Sequence, residues 1–151
     1  MSRTLYADHW KFIKKKDWPW QDFTPQEMAC KGNSAVLLET ESMDTLQRLR
    51  HWLDAPMRIN SAYRSVEYNR KIGGSPNSQH LHGKAFDVSM IKPAPHDMEK
   101  FIELAKAAGF KGIGRYYDAQ TKQPIFVHLD TGTPRNWIKF LEAPNVERPP
   151  A

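Results

Sequence analysis

The stretch Ser78-Gln-His-Leu-His-Gly-Lys-Ala-Phe-Asp87 constrains this chain more than any other. It sets His80 and Asp87 on either side of a glycine, at the entry to a run, Ala85 to Ser89, that reads as a strand. A second stretch, Phe126-Val-His-Leu-Asp-Thr-Gly132, carries His128 and Asp130. In an extended strand Ile125, Val127 and Leu129 share one face, and Phe126, His128 and Asp130 share the other. The aliphatic face enters the core, so His128 and Asp130 point the same way, roughly 7 Å apart along the strand. If the two strands are neighbours, Asp87 and His128 converge, and His80 joins them from the loop that Gly83 allows to turn. Two imidazoles and one carboxylate suit a single zinc ion with a fourth position left open. Taken one at a time these residues say little: a histidine is most often solvated or hydrogen-bonded, and an aspartate most often caps a turn. His9, His51 and His96 are read that way.

The rest of the chain reads as the scaffold. Thr24-Pro25-Gln26-Glu27 is a helix start, with Thr24 as cap and Glu27 completing a capping box. A clearer helix runs from about 39 to 53, with Met43, Leu46, Leu49, Trp52 and Leu53 on its apolar side and Pro56 beyond its end. Met57 to Ala62 alternates like a strand, and 65–72 reads as a short helix closed by Gly73-Gly74. Pro93-Ala94-Pro95 breaks the chain before a second good helix over 96–108, ended by Gly109. Residues 113–117 and 125–130 form an antiparallel hairpin around a polar turn. The expected fold class is therefore α+β: a small antiparallel sheet carrying the metal residues, flanked by helices. The expected organisation is an N-terminal arm over 1–22, one domain over 23–140, and a proline-rich, extended tail over 141–151.

Composition removes several function classes. Cys30 is the only cysteine, which excludes an internal disulfide and a multi-cysteine metal site. No apolar run is long enough to span a membrane. Residues near the N-terminus turn basic after a few apolar positions and lack a secretory core, so an exported protein would need another route or a leader outside this sequence. The net charge of +5 favours a polyanionic partner: nucleic acid, anionic membrane or anionic wall. The arm mixes Trp10, Trp18 and Trp20 with Lys14, Lys15 and Lys16, a mixture able to stack bases or sugars. We expect the tryptophans to pack on the domain instead, with the lysines in solvent, and no specific nucleic-acid partner.

The pattern Ser78-x-His80-x-x-Gly83-x-Ala85-x-Asp87, with His128 far downstream, resembles the zinc D-alanyl-D-alanine carboxypeptidase and murein endopeptidase family, whose fold is shared with the hedgehog signalling domain. Ser61-Ala-Tyr-Arg64, Asn69, Gly73-Gly74, Asn77, Gly112-Ile-Gly-Arg-Tyr116, Arg135 and Trp137 fit the branch containing murein endopeptidases and phage wall peptidases. The resemblance runs from about residue 23 to residue 137. It implies a zinc peptidase that hydrolyses peptide bonds of bacterial peptidoglycan, with one Zn2+ held by His80, Asp87 and His128. It also implies that Arg64 grips a substrate carboxylate, as a two-pronged guanidinium can; a plain surface charge is the duller alternative. Ser78 and His82 are further candidates for substrate contact, although His82 could equally face solvent.

One position departs from the family. An acid that serves relatives as general base, three residues before the last zinc histidine, is here Ile125. Asp130 is the candidate replacement, on the ligand face and able to take a proton from the attacking water. Its alternative role is to accept the spare N–H of a zinc histidine. The missing acid also supports a competing reading: a non-catalytic, zinc-containing binding module of a virion or wall-associated protein. The expected setting is the cell wall, reached by a phage-encoded or a bacterial protein, and a monomer is expected.

Overall fold

Alternation along residues 124–130 builds the strand at the centre of the molecule. The computed structural model describes residues 2–91 and 97–142. Its main sheet contains β3 (Ile59–Ser61), β4 (Ala85–Ser89), β5 (Gly112–Asp118), β6 (Pro124–Asp130) and β7 (Arg135–Leu141), in the order β3-β4-β6-β5-β7. All neighbours are antiparallel except β7, which runs parallel to β5. A separate two-stranded ribbon pairs β1 (Thr4–Ala7) with β2 (Val36–Glu39).

One face of the main sheet is apolar. Phe86, Val88, Ile113, Val127 and Leu129 are buried there, in one cluster with Met43, Leu46 and Leu49 of α2 (Thr40–Leu53) and Phe101, Ile102 and Ala105 of α4 (Met98–Ala108). Truncating one of these large side chains to alanine would cost about 2–5 kcal/mol. The α+β class expected from the sequence holds, with α2 and α4 on the apolar side.

Local chemistry explains where the helices begin and end. The Oγ of Thr24 accepts from the Glu27 N–H and caps α1 (Pro25–Met28). The Oγ of Ser65 does the same for Tyr68 in α3 (Val66–Lys71). Asp97 accepts from two backbone N–H groups at the start of α4. α2 ends at Leu53, where Asp54 takes a left-handed conformation at φ 51°. Trp52, counted with the apolar stripe, is 46% exposed in that last turn.

Three strands were not expected, β1, its partner β2, and β7. β1 belongs to the segment read as an arm, and Trp20 from the same segment is buried, its indole N–H donating to Asp44. Lys14, Lys15 and Lys16 are exposed. β7 follows β6 after a short crossing over the end of β5, and so lands beside β5 rather than beside β6. The expected helix start at His96, the Pro93-Ala94-Pro95 break and most of the tail lie outside the described residues.

Candidate metal centre

The other face of the sheet carries the site, and strand register builds it. Asp87 of β4 lies directly opposite His128 of β6. Gly114 of β5 and Trp137 of β7 complete that row across the sheet. The next row runs Ala85, Asp130, Gly112, Arg135. His80 arrives from a 3-10 turn, Gln79–His82, that ends at Gly83 with φ 68°. A Cβ at Gly83 would stand 2.4 Å from the Leu37 carbonyl oxygen, so only glycine lets the turn settle against β2.

His80, Asp87 and His128 are all buried, and their ligand-capable atoms lie within 4.8 Å of one another. Asp87 Oδ1 is 3.2 Å from His80 Nε2 and 3.2 Å from His128 Nδ1. The remaining ring nitrogens each meet a pure acceptor. His80 Nδ1 is 2.6 Å from the Ala62 carbonyl oxygen, and His128 Nε2 is 2.6 Å from Asp130 Oδ2. Both of those nitrogens therefore carry the proton, which leaves His80 Nε2 and His128 Nδ1 with lone pairs facing Asp87 Oδ1. Three electron-rich atoms gathered in a buried space fit a cation. A tetrahedral zinc with ligand bonds of about 2.0–2.1 Å would set its ligands about 3.3–3.4 Å apart, close to the two separations observed.

The electrostatics agree with that arrangement at Asp87 and His80, and at His128 they favour a proton that a metal ion would have to displace. Burial works to raise the Asp87 pKa, yet His80, His128 and Arg64 outweigh it and hold the carboxyl well below the usual carboxylate range. Burial lowers the pKa of His80 and so favours its neutral form. Burial also acts to lower that of His128, but hydrogen bonds to Asp130 and Asp87 raise it overall. Hydrogen bonds from His128 and the Gly132 N–H, with Arg135 nearby, keep Asp130 ionised against its own burial.

Arg64 does not stand where a substrate clamp would. Its side chain is completely buried, with Nη2 donating to Asp87 Oδ2 at 3.0 Å, Nη1 to Asn69 Oδ1 at 3.1 Å and Nε to Ser61 Oγ at 3.0 Å. The guanidinium thus takes one carboxylate oxygen of Asp87 and leaves the other for the histidines. Gly74 makes room for this support, since a Cβ there would strike Asn69. Ser78, expected at the substrate, is also buried, and its Oγ caps the turn by accepting from the His80 N–H. His82 is exposed at the end of the same turn. Ile125 is buried, but with Tyr116 and Phe126 rather than with Val127 and Leu129 where alternation placed it, beside the register shift between Tyr116 and Tyr117.

Three features around the centre escaped the strand-pattern reading. The Ala62 carbonyl orients His80, and no side-chain pattern announces a backbone acceptor. Trp137 sits with its ring 5.0 Å from that of His128, and its Nε1–H donates to the Tyr116 hydroxyl at 2.8 Å. Gly112 and Gly114 admit their neighbours: a Cβ at Gly112 would meet the Asp130 carboxylate, and one at Gly114 the Trp137 indole. Glycines two apart in a strand, both on the polar face, were the available signal for the last of these.

The Peptidase M15 family matches residues 21–130. The chain belongs to that family. Over 73 residues it is 37% identical to the zinc D-Ala-D-Ala carboxypeptidase of Streptomyces albus G, which covers 48% of this chain and 26% of that protein. Over 114 residues it is 31% identical to the peptidoglycan L,D-endopeptidase MepK of Escherichia coli K12, covering 71% of this chain and 58% of MepK. The same figures hold for MepK of Escherichia coli O157:H7. The chain therefore spans about a quarter to somewhat over half the length of these relatives. The resemblance read from the motifs is borne out, and this M15 peptidase family member places its three motif residues in one buried cluster.

Proposed function

We propose that this M15 family member is a zinc-dependent peptidase acting on peptide bonds of bacterial peptidoglycan. The observation that carries the reading is the convergence of His80 Nε2, His128 Nδ1 and an Asp87 oxygen in one buried cluster, with the outer nitrogen of each imidazole held by an acceptor. His80, Asp87 and His128 would hold the zinc. Zinc in such a three-ligand site supplies Lewis acidity: it polarises a carbonyl oxygen and acidifies water.

The chain's own residues prepare that chemistry. Ala62 and Asp130 aim the two imidazoles, and Arg64 holds Asp87 so that one oxygen faces the ion. Burial of the ligands keeps bulk water from competing with the bound group. The relatives' names supply the substrate class, an L,D-endopeptidase of peptidoglycan and a zinc carboxypeptidase of D-Ala-D-Ala. A net charge of +5 suits an anionic wall, and no described helix is long and apolar enough to cross a membrane. The place of action we propose is the bacterial wall, in a phage-encoded lytic or virion role or a bacterial one.

A second reading has one observation in its favour. Ile125 cannot accept a proton, and both oxygens of Asp130 are occupied, by His128 and by the Gly132 N–H. A non-catalytic module that keeps the metal would have this appearance. Zinc-loaded protein incubated with purified peptidoglycan, followed by mass spectrometry of the released muropeptides, separates the two. New free termini that vanish on chelation support the peptidase; intact peptides with zinc still bound support the module.

A further inference from the structure

With Arg64 sealed beneath Asp87, a different guanidinium meets solvent beside the centre. Arg135 opens β7, in the same row across the sheet as Gly112 and Asp130. Its side chain is 53% exposed, and Nη2 lies 3.9 Å from Asp130 Oδ2, beyond hydrogen-bond length. The guanidinium carbon sits 4.4 Å from the centre of the Trp137 ring. That ring is itself held in place by the Tyr116 hydroxyl, and Tyr116 stacks on Phe126 with centroids 4.3 Å apart. Burial pushes the Tyr116 hydroxyl up to about 12, so it stays protonated and neutral under the indole. The result is a cation laid against an anchored aromatic, with hydrogen-bonding edges turned to solvent and little rotamer freedom left to lose.

We propose that Arg135, positioned by Trp137, receives a free carboxylate of the substrate peptide and sets the specificity of the site. The proposal rests on the wall-peptide reading above and names the group that the site selects. Two short steps, of 3.9 and 2.6 Å, link Arg135 Nη2 through Asp130 to His128 Nε2. An extended residue spans about 3.3–3.6 Å, so with the width of the His128 ring added, a carboxylate about two residues from a bond at the metal reaches Arg135. Such a group is either the terminal carboxylate of the peptide or the side-chain carboxylate of a diamino acid.

Calorimetry on the zinc-loaded full chain distinguishes these sources with two probe pairs. The first is N-acetyl-L-lysyl-D-alanyl-D-alanine against its C-terminal amide. The second pair ends in the amide and carries meso-diaminopimelate in place of lysine, with its side-chain carboxylate free or amidated. The native protein is expected to bind the acid about 10- to 100-fold more tightly than the amide in one pair, and that pair identifies the source. The preference should fall to near unity in Arg135→Gln and return only in part in Arg135→Lys, since an ammonium cannot make the paired contact. A preference that survives in Arg135→Gln, or none in either pair with the native protein, overturns the clamp. Cleavage is scored separately on the same probes. Acid preference without cleavage keeps the clamp and removes the peptidase reading, and cleavage without preference does the reverse.

Discussion

Replacing Asp130 with asparagine separates orientation of His128 from proton transfer. The carboxylate accepts on both sides, from His128 Nε2–H at 2.6 Å and from the Gly132 N–H at 2.9 Å. An amide of the same shape cannot. With its oxygen toward His128, its NH2 meets the Gly132 N–H, donor against donor. With its NH2 toward His128, it favours the tautomer that puts the proton on Nδ1, the atom a metal ion needs. Either arrangement forfeits a buried hydrogen bond to an ionised acceptor, about 1.5–3 kcal/mol. Expressed in metal affinity, that is a weakening of about 10- to 100-fold. The zinc dissociation constants of native and Asp130→Asn protein, measured by competition with a chromophoric chelator at one pH, test it. Unchanged zinc affinity together with hydrolysis reduced about 10²- to 10⁴-fold would refute the orienting role and make Asp130 the proton acceptor.

Three further outcomes follow from the same geometry. Asp87→Ala and His128→Ala should lose stoichiometric zinc by metal analysis, whereas His82→Ala, altered at an exposed position, should keep it. Arg64→Met leaves Asp87 Oδ2 buried without its cation, and chemical denaturation of the metal-free protein should show a loss of about 3–5 kcal/mol; a loss below 1 kcal/mol would show that Arg64 does not support Asp87. Gly114→Ala places a methyl group where the Trp137 indole lies, so tryptophan emission should shift to the red while zinc stays bound.

Legibility in the sequence followed the range of the signal. The clustering of His80, Asp87 and His128 could be read because strand alternation is local and a glycine-bearing turn has few conformations. Asp87 and His128 then needed only to be neighbours in the sheet, as they are. The helices α2 and α4 were visible for the same reason, in their apolar stripes. β7 was not, because its run has no apolar alternation: it is an edge strand in which Ile138 and Phe140 are more than half exposed. β1 is short and pairs with a segment about thirty residues away, so nothing local announces it. Arg64 misled for a different reason. A guanidinium beside a predicted metal site suits a substrate carboxylate and a ligand carboxylate equally well, and only burial tells them apart.

The site and the core are not separable in this fold. Val127 and Leu129 belong to the apolar cluster, while His128 and Asp130, interleaved with them, belong to the centre. A slip of one residue between β4 and β6 would drive His128 toward α2 and α4 and bring Val127 opposite Asp87. The apolar burial that fixes the register therefore also fixes the meeting of Asp87 with His128. The same register puts glycine beside both Asp130 and His128 on β5, which is what lets Trp137 and Arg135 of β7 approach the centre across an intervening strand. The candidate ligands come from one turn and two adjacent strands, their supports from Asp130 on the same face and from Ala62 and Arg64 after β3, and the accessible cation from the outermost strand. Weakening the apolar side until a shifted register is populated should therefore weaken metal binding without any change to a ligand, because protein in that register has no site to fill.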